Sequence, residues 1–462
     1  MRRLEFTGQR VVVLGLGLHG GGVAVAKWLV KHGATVTVTD IKSRAALAAS
    51  LEQLKGLPIK YVFGRHPLSL LHNCDLVIQN PGVPSDHPFL KAAKQGQIAI
   101  ENEASLFLKL CPSDKVVAVT GTRGKSTVVS LLGLMMKRAW PATVVAGNIR
   151  DTVLFGALDK ITASTHLAIE LSSWQLEGVG QYKLRVPVAV VTNVLPDHLN
   201  RYDAFASYVR AKAMIFTGQH KTDAVVLNYD NSVTRQFSRL VRSKIFWFSL
   251  RPTVGRGCFV RQGAVYWRDR GRVELLFYRR DLELLGAHNF ANALAAATTA
   301  RLLGVKPSAI RAAVKEFKGL HDRLEYVGMV SQVPYYNDTA STSPDATMAA
   351  LHSFADKAII LIAGGTDKSL SYYKMAQAIR QRAAAVVLLP GTATAKLQRA
   401  LRGYKKILLA RSMLEAVRLA RRLTLPGSVV LLSPGAASFG LFRHEFDRGE
   451  AFKQAVVALG KR

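Results

Sequence analysis

Apolar residues in this chain fall into two alternating patterns. Short β-branched runs such as Arg10–Leu14 read as strands buried on both faces, and stretches such as Gly21–Lys31 carry apolar positions at helical spacing. Repeated along the chain, this alternation predicts parallel α/β sheets. In the first part, strands are expected at Arg10–Leu14, 35–39 (closed by Asp40) and 75–79, the last running into the turn Asn80-Pro81-Gly82. The polar segment Cys111-Pro112-Ser113-Asp114 predicts a boundary. In the second part, strands are expected at 115–120, Leu167–Glu170, 188–193, 224–227 and 245–248, before a long Ala-rich helix at 289–303. The third part opens near 319–323, has strands at Ala358–Ala363, 385–389 and Ser428–Leu432, and ends in a helix. No repeat of fixed period and no low-complexity segment interrupts this order. The predicted architecture is α/β in three domains, 1–112, 113–320 and 321–462, which suits 462 residues at about 150 residues per domain.

Composition adds limits. With 49% apolar and 20% charged residues the chain is globular, and no apolar run reaches the ~20 residues of a membrane-spanning helix. Two N-terminal arginines before an apolar run resemble a targeting peptide, but Gly15, Gly17 and the glycines from Gly20 interrupt it. Cys74, Cys111 and Cys258 are odd in number and far apart, which predicts neither a disulfide framework nor a zinc cluster but a reducing, cytoplasmic setting. The net charge of +32 is the one abnormal value, and it would suit a polyanionic partner. However, the 63 basic residues are dispersed without a block of five. The expectation is a general basic bias that helps draw phosphorylated substrates, with no stable nucleic-acid or membrane partner.

Candidate chemistry lies at the strand ends. Thr120-Gly121-Thr122-Arg123-Gly124-Lys125-Ser126-Thr127 follows a strand and opens a helix. Glycines there let backbone N–H groups turn toward phosphate oxygens, and the helix N-terminus favours an anion. Lys125 would neutralise outer phosphates, and a hydroxyl of Ser126 or Thr127 would bind Mg²⁺. Val119 takes the place of the first glycine of the strict phosphate-loop pattern. Glu170, in Glu170-Leu171-Ser172-Ser173, ends another strand where a metal ligand is useful, as does His198 after Thr192-Asn193. Read singly, each is as easily an ordinary strand-end residue. Gly15-Leu16-Gly17-Leu18-His19-Gly20 with Asp40 is formally a dinucleotide fingerprint, and does not choose between NAD and a UDP-sugar.

Together, Thr120 to Thr127, Glu170 to Ser173, Asn193 to His198, Gly286-Ala287-His288-Asn289 with Asn292, and Arg323 resemble the ordered motif set of the Mur ligases, a family that also includes the folylpolyglutamate synthetases. The resemblance covers essentially the whole chain. The glycine-rich start, Asn80-Pro81-Gly82-Val83 and Leu432-Ser433-Pro434 resemble the glutamate-adding branch. It implies a Rossmann-like N-terminal domain, a central ATPase-type sheet and a Rossmann-like C-terminal domain that closes during catalysis. The implied activity is ATP- and Mg²⁺-dependent joining of glutamate to UDP-N-acetylmuramoyl-L-alanine through an acyl phosphate, by a monomer, in peptidoglycan synthesis and hence in cell shape and division. It also implies roles. Lys125 holds the outer phosphates within a loop that includes Gly121, Thr122, Arg123 and Gly124, while Ser126 or Thr127 and Glu170 serve one Mg²⁺. His198 serves a second, and Lys212 corresponds to the family's carbamylated lysine. Asn292, Arg323 and Asp338 contact ATP. Gly17, Leu18, His19, Asp40 and Gly82 hold the uridine diphosphate, Asn148 lies near the sugar, and Thr342, Lys368, Ser438 and Phe439 hold glutamate.

Three positions depart from the family. Arg123 replaces an asparagine, Asp322 replaces a histidine, and Ala340, in Asn337-Asp338-Thr339-Ala340-Ser341-Thr342, stands where a glutamate-binding lysine is expected. D-glutamate, L-glutamate and another amino acid or acceptor therefore all remain open. From other classes, an NAD-dependent oxidoreductase and a nucleic-acid-binding ATPase are the competing readings. The first leaves the phosphate loop, Glu170 and His198 unused, and the second would show steep salt dependence.

Overall fold

The computed structural model describes residues 5–18, 20–147, 152–197, 201–252, 255–354 and 357–460. The first sheet contains β1 (Arg10–Leu14), β2 (Thr35–Asp40), β3 (Ile59–Phe63), β4 (Leu76–Gln79) and β5 (Ala99–Asn102). Its order is β3-β2-β1-β4-β5, parallel throughout. The order reverses between β1 and β4, which opens a crevice at their carboxyl ends, the usual ligand position in such sheets.

The second sheet contains β6 (Val116–Thr120), β7 (Val144–Gly147), β8 (Leu167–Glu170), β9 (Val188–Val191), β10 (Ala224–Asn228), β11 (Lys244–Ser249), β12 (Gly257–Arg261), β13 (Ala264–Asp269) and β14 (Arg272–Tyr278). Its order is β14-β13-β12-β11-β10-β9-β6-β8-β7. Parallel pairing runs from β7 to β12, and the edge is an antiparallel meander. β6 is flanked by β8 and β9, so three strand ends meet where the glycine loop begins. All of β6 and β8 is buried, as expected of a sheet covered on both faces.

The third sheet contains β15 (Glu325–Val330), β16 (Val333–Asn337), β17 (Ala358–Ala363), β18 (Ala383–Leu388), β19 (Ile407–Leu409) and β20 (Ser428–Leu432), in the order β15-β16-β20-β17-β18-β19. Its two faces carry separate apolar clusters. Burying each Val, Leu or Ile there contributes about 1.5–3 kcal/mol.

The chain divides into two compact units, 1–282 with 291–316, and 283–290 with 317–462. The first holds the first two sheets and the second holds the third. The expected strand at 188–193 stops at Val191, because Thr192 and Asn193 turn away to bind the neighbouring loop. The hairpins were not anticipated from sequence. They are joined by two-residue turns with positive φ at both positions, at Gln262-Gly263, Arg270-Gly271 and Ser331-Gln332. Two of the three have glycine second, but after Gln or Arg rather than Asn, Asp or Gly, and the third has no glycine, so the signal in sequence is faint. No helix of the described residues is long and apolar enough to cross a membrane.

Candidate active site

The glycine loop connects β6 to the helix Lys125–Lys137, and Gly124 caps that helix at φ +84. A Cβ at Gly124 would lie 2.1 Å from Asn292 Oδ1, so glycine is required for both conformation and space. The loop is latched by the end of β9. Thr122 N donates to Asn193 O at 2.9 Å, Arg123 N donates to Asn193 Oδ1 at 3.0 Å, and Thr192 Oγ1 donates to Arg123 O at 2.6 Å. Thr122 Oγ1 also meets Tyr208 OH at 3.1 Å. The Lys125 ammonium folds over the loop, donating to Gly121 O at 3.2 Å and Thr122 O at 3.3 Å. Ser126 and Thr127 are buried in the first helical turn. Arg123 pairs with Asp197, Nη1 to Oδ2, at 3.4 Å.

Beside this loop lies a buried pair of opposite character. Glu170 is 2% exposed, and its Oε2 has no hydrogen-bond partner. An ionised oxygen in that state is costly unless a cation reaches it. With the hydroxyls of Ser126 and Thr127 it offers hard oxygen donors, a set that fits Mg²⁺. Lys212 is also 2% exposed, buried on its helix rather than solvated. Its Nζ donates to Thr120 Oγ1 at 3.1 Å. Burial first, and then the charge of Lys125, push its pKa well below the ordinary lysine value, against the pull of Glu170 and Asp197. The amine is thereby driven toward its neutral, nucleophilic form. Among the described residues no three His, Cys, Asp or Glu side chains come together as a metal cluster, and His198 lies outside them.

At the first sheet, Gly15 follows β1 at φ +88, and a Cβ there would meet Asn80 Cβ at 2.9 Å. Asp40 braces the turn: its Oδ2 accepts from Leu16 N at 2.9 Å and Gly17 N at 3.2 Å, and its Oδ1 accepts from Lys42 N at 2.9 Å. With both oxygens so engaged, the carboxylate serves the loop rather than standing open to a ribose. Asn80 Oδ1 accepts from Gly82 N at 2.9 Å, while Leu18 remains exposed. Behind the glycines Glu103 is buried, its Oε1 without a partner, and burial pushes its carboxyl up to about 7. His19 and Asn148 lie outside the described residues.

In the second unit, Lys368 Nζ donates to Thr342 Oγ1 at 3.1 Å, which brings two of the expected glutamate contacts together. Thr366 donates to the carbonyl of Phe439 and bridges to Ala437, placing buried Ser438 and exposed Phe439 on the adjoining loop. Asp338 faces inward, accepting from Ser341 Oγ at 2.5 Å and Ser433 Oγ at 2.8 Å, and burial pushes its carboxyl up to about 6. Arg323 is exposed, and Asn292 belongs to the other unit beside Gly124. Asp322 Oδ1 accepts from Asn337 Nδ2 at 2.8 Å, giving this departure a structural role in that loop.

Tyr208, Glu103 and Arg448 have no role assigned from the sequence, and Asn80 only that of a turn residue. Tyr208 precedes Lys212 by four positions on one helix, so its spacing was a usable signal. Arg448, 1% exposed, donates to Thr339 O at 2.9 Å and Ala436 O at 3.1 Å, and so ties the loops after β16 and β20. Nothing local to the sequence marks it.

Comparison with known proteins agrees with this geometry. The "Mur ligase middle domain" model matches residues 119–300, the "Mur ligase MurD-like, N-terminal domain" model 9–101, and the "Mur ligase, glutamate ligase domain" model 322–435. The UDP-N-acetylmuramoylalanine–D-glutamate ligase of Roseiflexus sp. (strain RS-1) is 43% identical, over 99% of this chain and all of that protein. The protein of that name from Koribacter versatilis (strain Ellin345) is 37% identical over 99% of each. Among solved structures, the UDP-N-acetylmuramate–alanine ligase of Thermotoga maritima shares the fold with a TM-score of 0.63 at 22% identity, covering 97% of this chain and 99% of that one. On these grounds the chain belongs to the Mur ligase family.

Proposed function

We propose that this chain is an ATP- and Mg²⁺-dependent ligase that joins D-glutamate to UDP-N-acetylmuramoyl-L-alanine, in the cytoplasm, as a step of peptidoglycan synthesis. The observation that carries the reading is the buried group around β6: Lys125 over the loop, Glu170 with an unsatisfied oxygen, and Lys212 on Thr120. The names of full-length relatives supply the substrates. In the reaction, a carboxylate oxygen of the alanyl group attacks the γ-phosphorus of ATP, and ADP leaves. The glutamate amine then attacks the acyl carbon, loses a proton, and inorganic phosphate departs.

Each side chain has a part in that sequence. Gly121 to Gly124 present N–H groups to the phosphates, and Lys125 neutralises the outer ones. Ser126 or Thr127 with Glu170 would hold Mg²⁺, and His198 with Lys212, as its carbamate, would hold a second. Bound there, Mg²⁺ lowers the repulsion between carboxylate and triphosphate. Asn292 and Arg323 contact ATP, and Asp338 reaches its ribose. Gly17, Leu18, His19, Gly82 and Asn148 serve the uridine-linked substrate, with Asp40 bracing their loop, and Thr342, Lys368, Ser438 and Phe439 serve glutamate. The three domains are 1–112, 113–320 and 321–462, acting as a monomer.

Ala340 favours a second reading, the same chemistry with L-glutamate or another amino acid, because one cationic contact is missing. Phosphate release with ATP, Mg²⁺ and UDP-N-acetylmuramoyl-L-alanine, adding each amino acid in turn with product masses, decides between them. Release coupled to D-glutamate supports the main reading, and coupling to L-glutamate replaces it with the second. Failure of every amino acid would refute the acceptor.

A further inference from the structure

The antiparallel meander β12–β14 at the edge of the second sheet has no part in the proposed reaction, and its surface chemistry is distinctive. Between 251 and 281 every basic residue is arginine, eight in all, against the carboxylates of Asp269, Glu274 and Asp281. Those three are already committed: Asp269 to Arg256 at 2.6 Å, Glu274 to Arg301 at 2.8 Å and Asp281 to Arg311 at 2.9 Å. Arg261, Arg270 and Arg272 are exposed and form no ion pair among the described residues.

Register defines one face of the meander. Phe259 pairs with Tyr266 and Tyr266 with Leu275, while Arg268 pairs with Val273, so these side chains share a side. Arg261 lies 4.9 Å from the Tyr266 ring centre and Arg268 4.5 Å from that of Phe259. Stacking lays the Arg261 guanidinium along the sheet and leaves its N–H edge for phosphate oxygens. In the midst of these cations Val273 and Leu275, on the edge strand, are 47% and 37% exposed.

We propose that this face docks the protein peripherally on an anionic phospholipid surface, the arginines meeting phosphates and Val273 and Leu275 entering the headgroup boundary. The net charge of +32 selects an anionic partner and opposes pairing with a second copy of the chain. Nucleic acid would supply phosphates but has no use for the aliphatic pair, and the rings that might stack on bases already carry guanidiniums. No membrane-crossing helix is present among the described residues, so the attachment is by the surface.

The test is flotation of the full chain with vesicles of phosphatidylcholine, with and without phosphatidylglycerol, at physiological salt. Binding should require phosphatidylglycerol and fall with added salt. Each arginine near the surface is worth about fivefold, so R261Q/R270Q should weaken binding on the order of twentyfold. The control R399Q/R402Q removes the same charge from exposed positions of the other unit and should change it less than about threefold. V273N/L275N, with charge unchanged, should weaken it severalfold. Thermal melts and ATP-dependent ligation of the variants report folding separately. Equal loss in both arginine pairs, no effect of V273N/L275N, or nucleic acid displacing the protein from vesicles through the same arginines would each overturn the proposal.

Discussion

Glu170 and Glu103 are both buried carboxylates with an oxygen that nothing satisfies, one beside each glycine turn. For Glu170 the remedy is a cation, which the neighbouring hydroxyls can share. Lys125 serves the same charge balance from the other side. Lys125→Ala should therefore lower turnover on the order of a hundred- to a thousandfold while uridine-nucleotide affinity changes less than about twofold. Phosphate release and calorimetric binding of UDP would measure both, and parallel loss would mean that the two sites are not separate. Glu103 is relieved by a proton instead. Its carboxyl is raised from 4.5 to about 7, so its contribution to stability is present below the unfolded value and lost as pH rises through about 7. Glu103→Gln keeps an amide near Gln175 and never ionises. Its stability relative to the parent should thus improve between pH 5 and pH 8 by about 2 kcal/mol, seen as a rising difference in melting temperature. A difference that does not vary with pH would show that Glu103 does not titrate there.

At the scale of elements, the phosphate loop depends on three strand ends and one helix. The β6 run and the glycines after it were legible because a buried strand has no polar positions and a left-handed turn leaves few residue choices. The latch formed by Thr192 and Asn193 was not, since a strand-end threonine and asparagine look alike whether they extend a strand or turn to bind a neighbour. Gly124→Ala would strain φ +84 by about 1–2 kcal/mol and press on Asn292. ATP affinity should fall at least about tenfold, and Gly124→Ala/Asn292→Ala should recover part of the lost melting temperature but little of the affinity. Full recovery of affinity in the double variant would reduce Asn292 to a spacer. The meander β12–β14 escaped sequence reading because its strands alternate with arginines and its turns carry little of the usual signal.

At the scale of the whole molecule, the dominant fact is charge. A protein of +32 acting on triphosphate and diphosphate substrates gathers them by a long-range field. Raising salt from 0.05 to 0.3 M should lower kcat/KM severalfold with kcat nearly constant, because screening acts on encounter rather than on bound groups. A salt effect confined to kcat would place the charge's role elsewhere. The division into two units also matters for what could be foreseen. Asn292 and Arg323, neighbours in the motif order, belong to different units, a separation that no linear spacing expresses.

The sequence by itself determined the α/β class, the glycine turns and which residue types could meet phosphate and Mg²⁺, because buried parallel strands and left-handed turns restrict residue choice locally. Only the tertiary structure decided that Lys212 is buried against Thr120, that Asp40 braces a loop and that Arg448 joins two loops from a distant helix. Burial and hydrogen-bond partners are properties of contacts between segments far apart in the chain. They set the charge state of a lysine or carboxylate, and no window of neighbouring residues contains them.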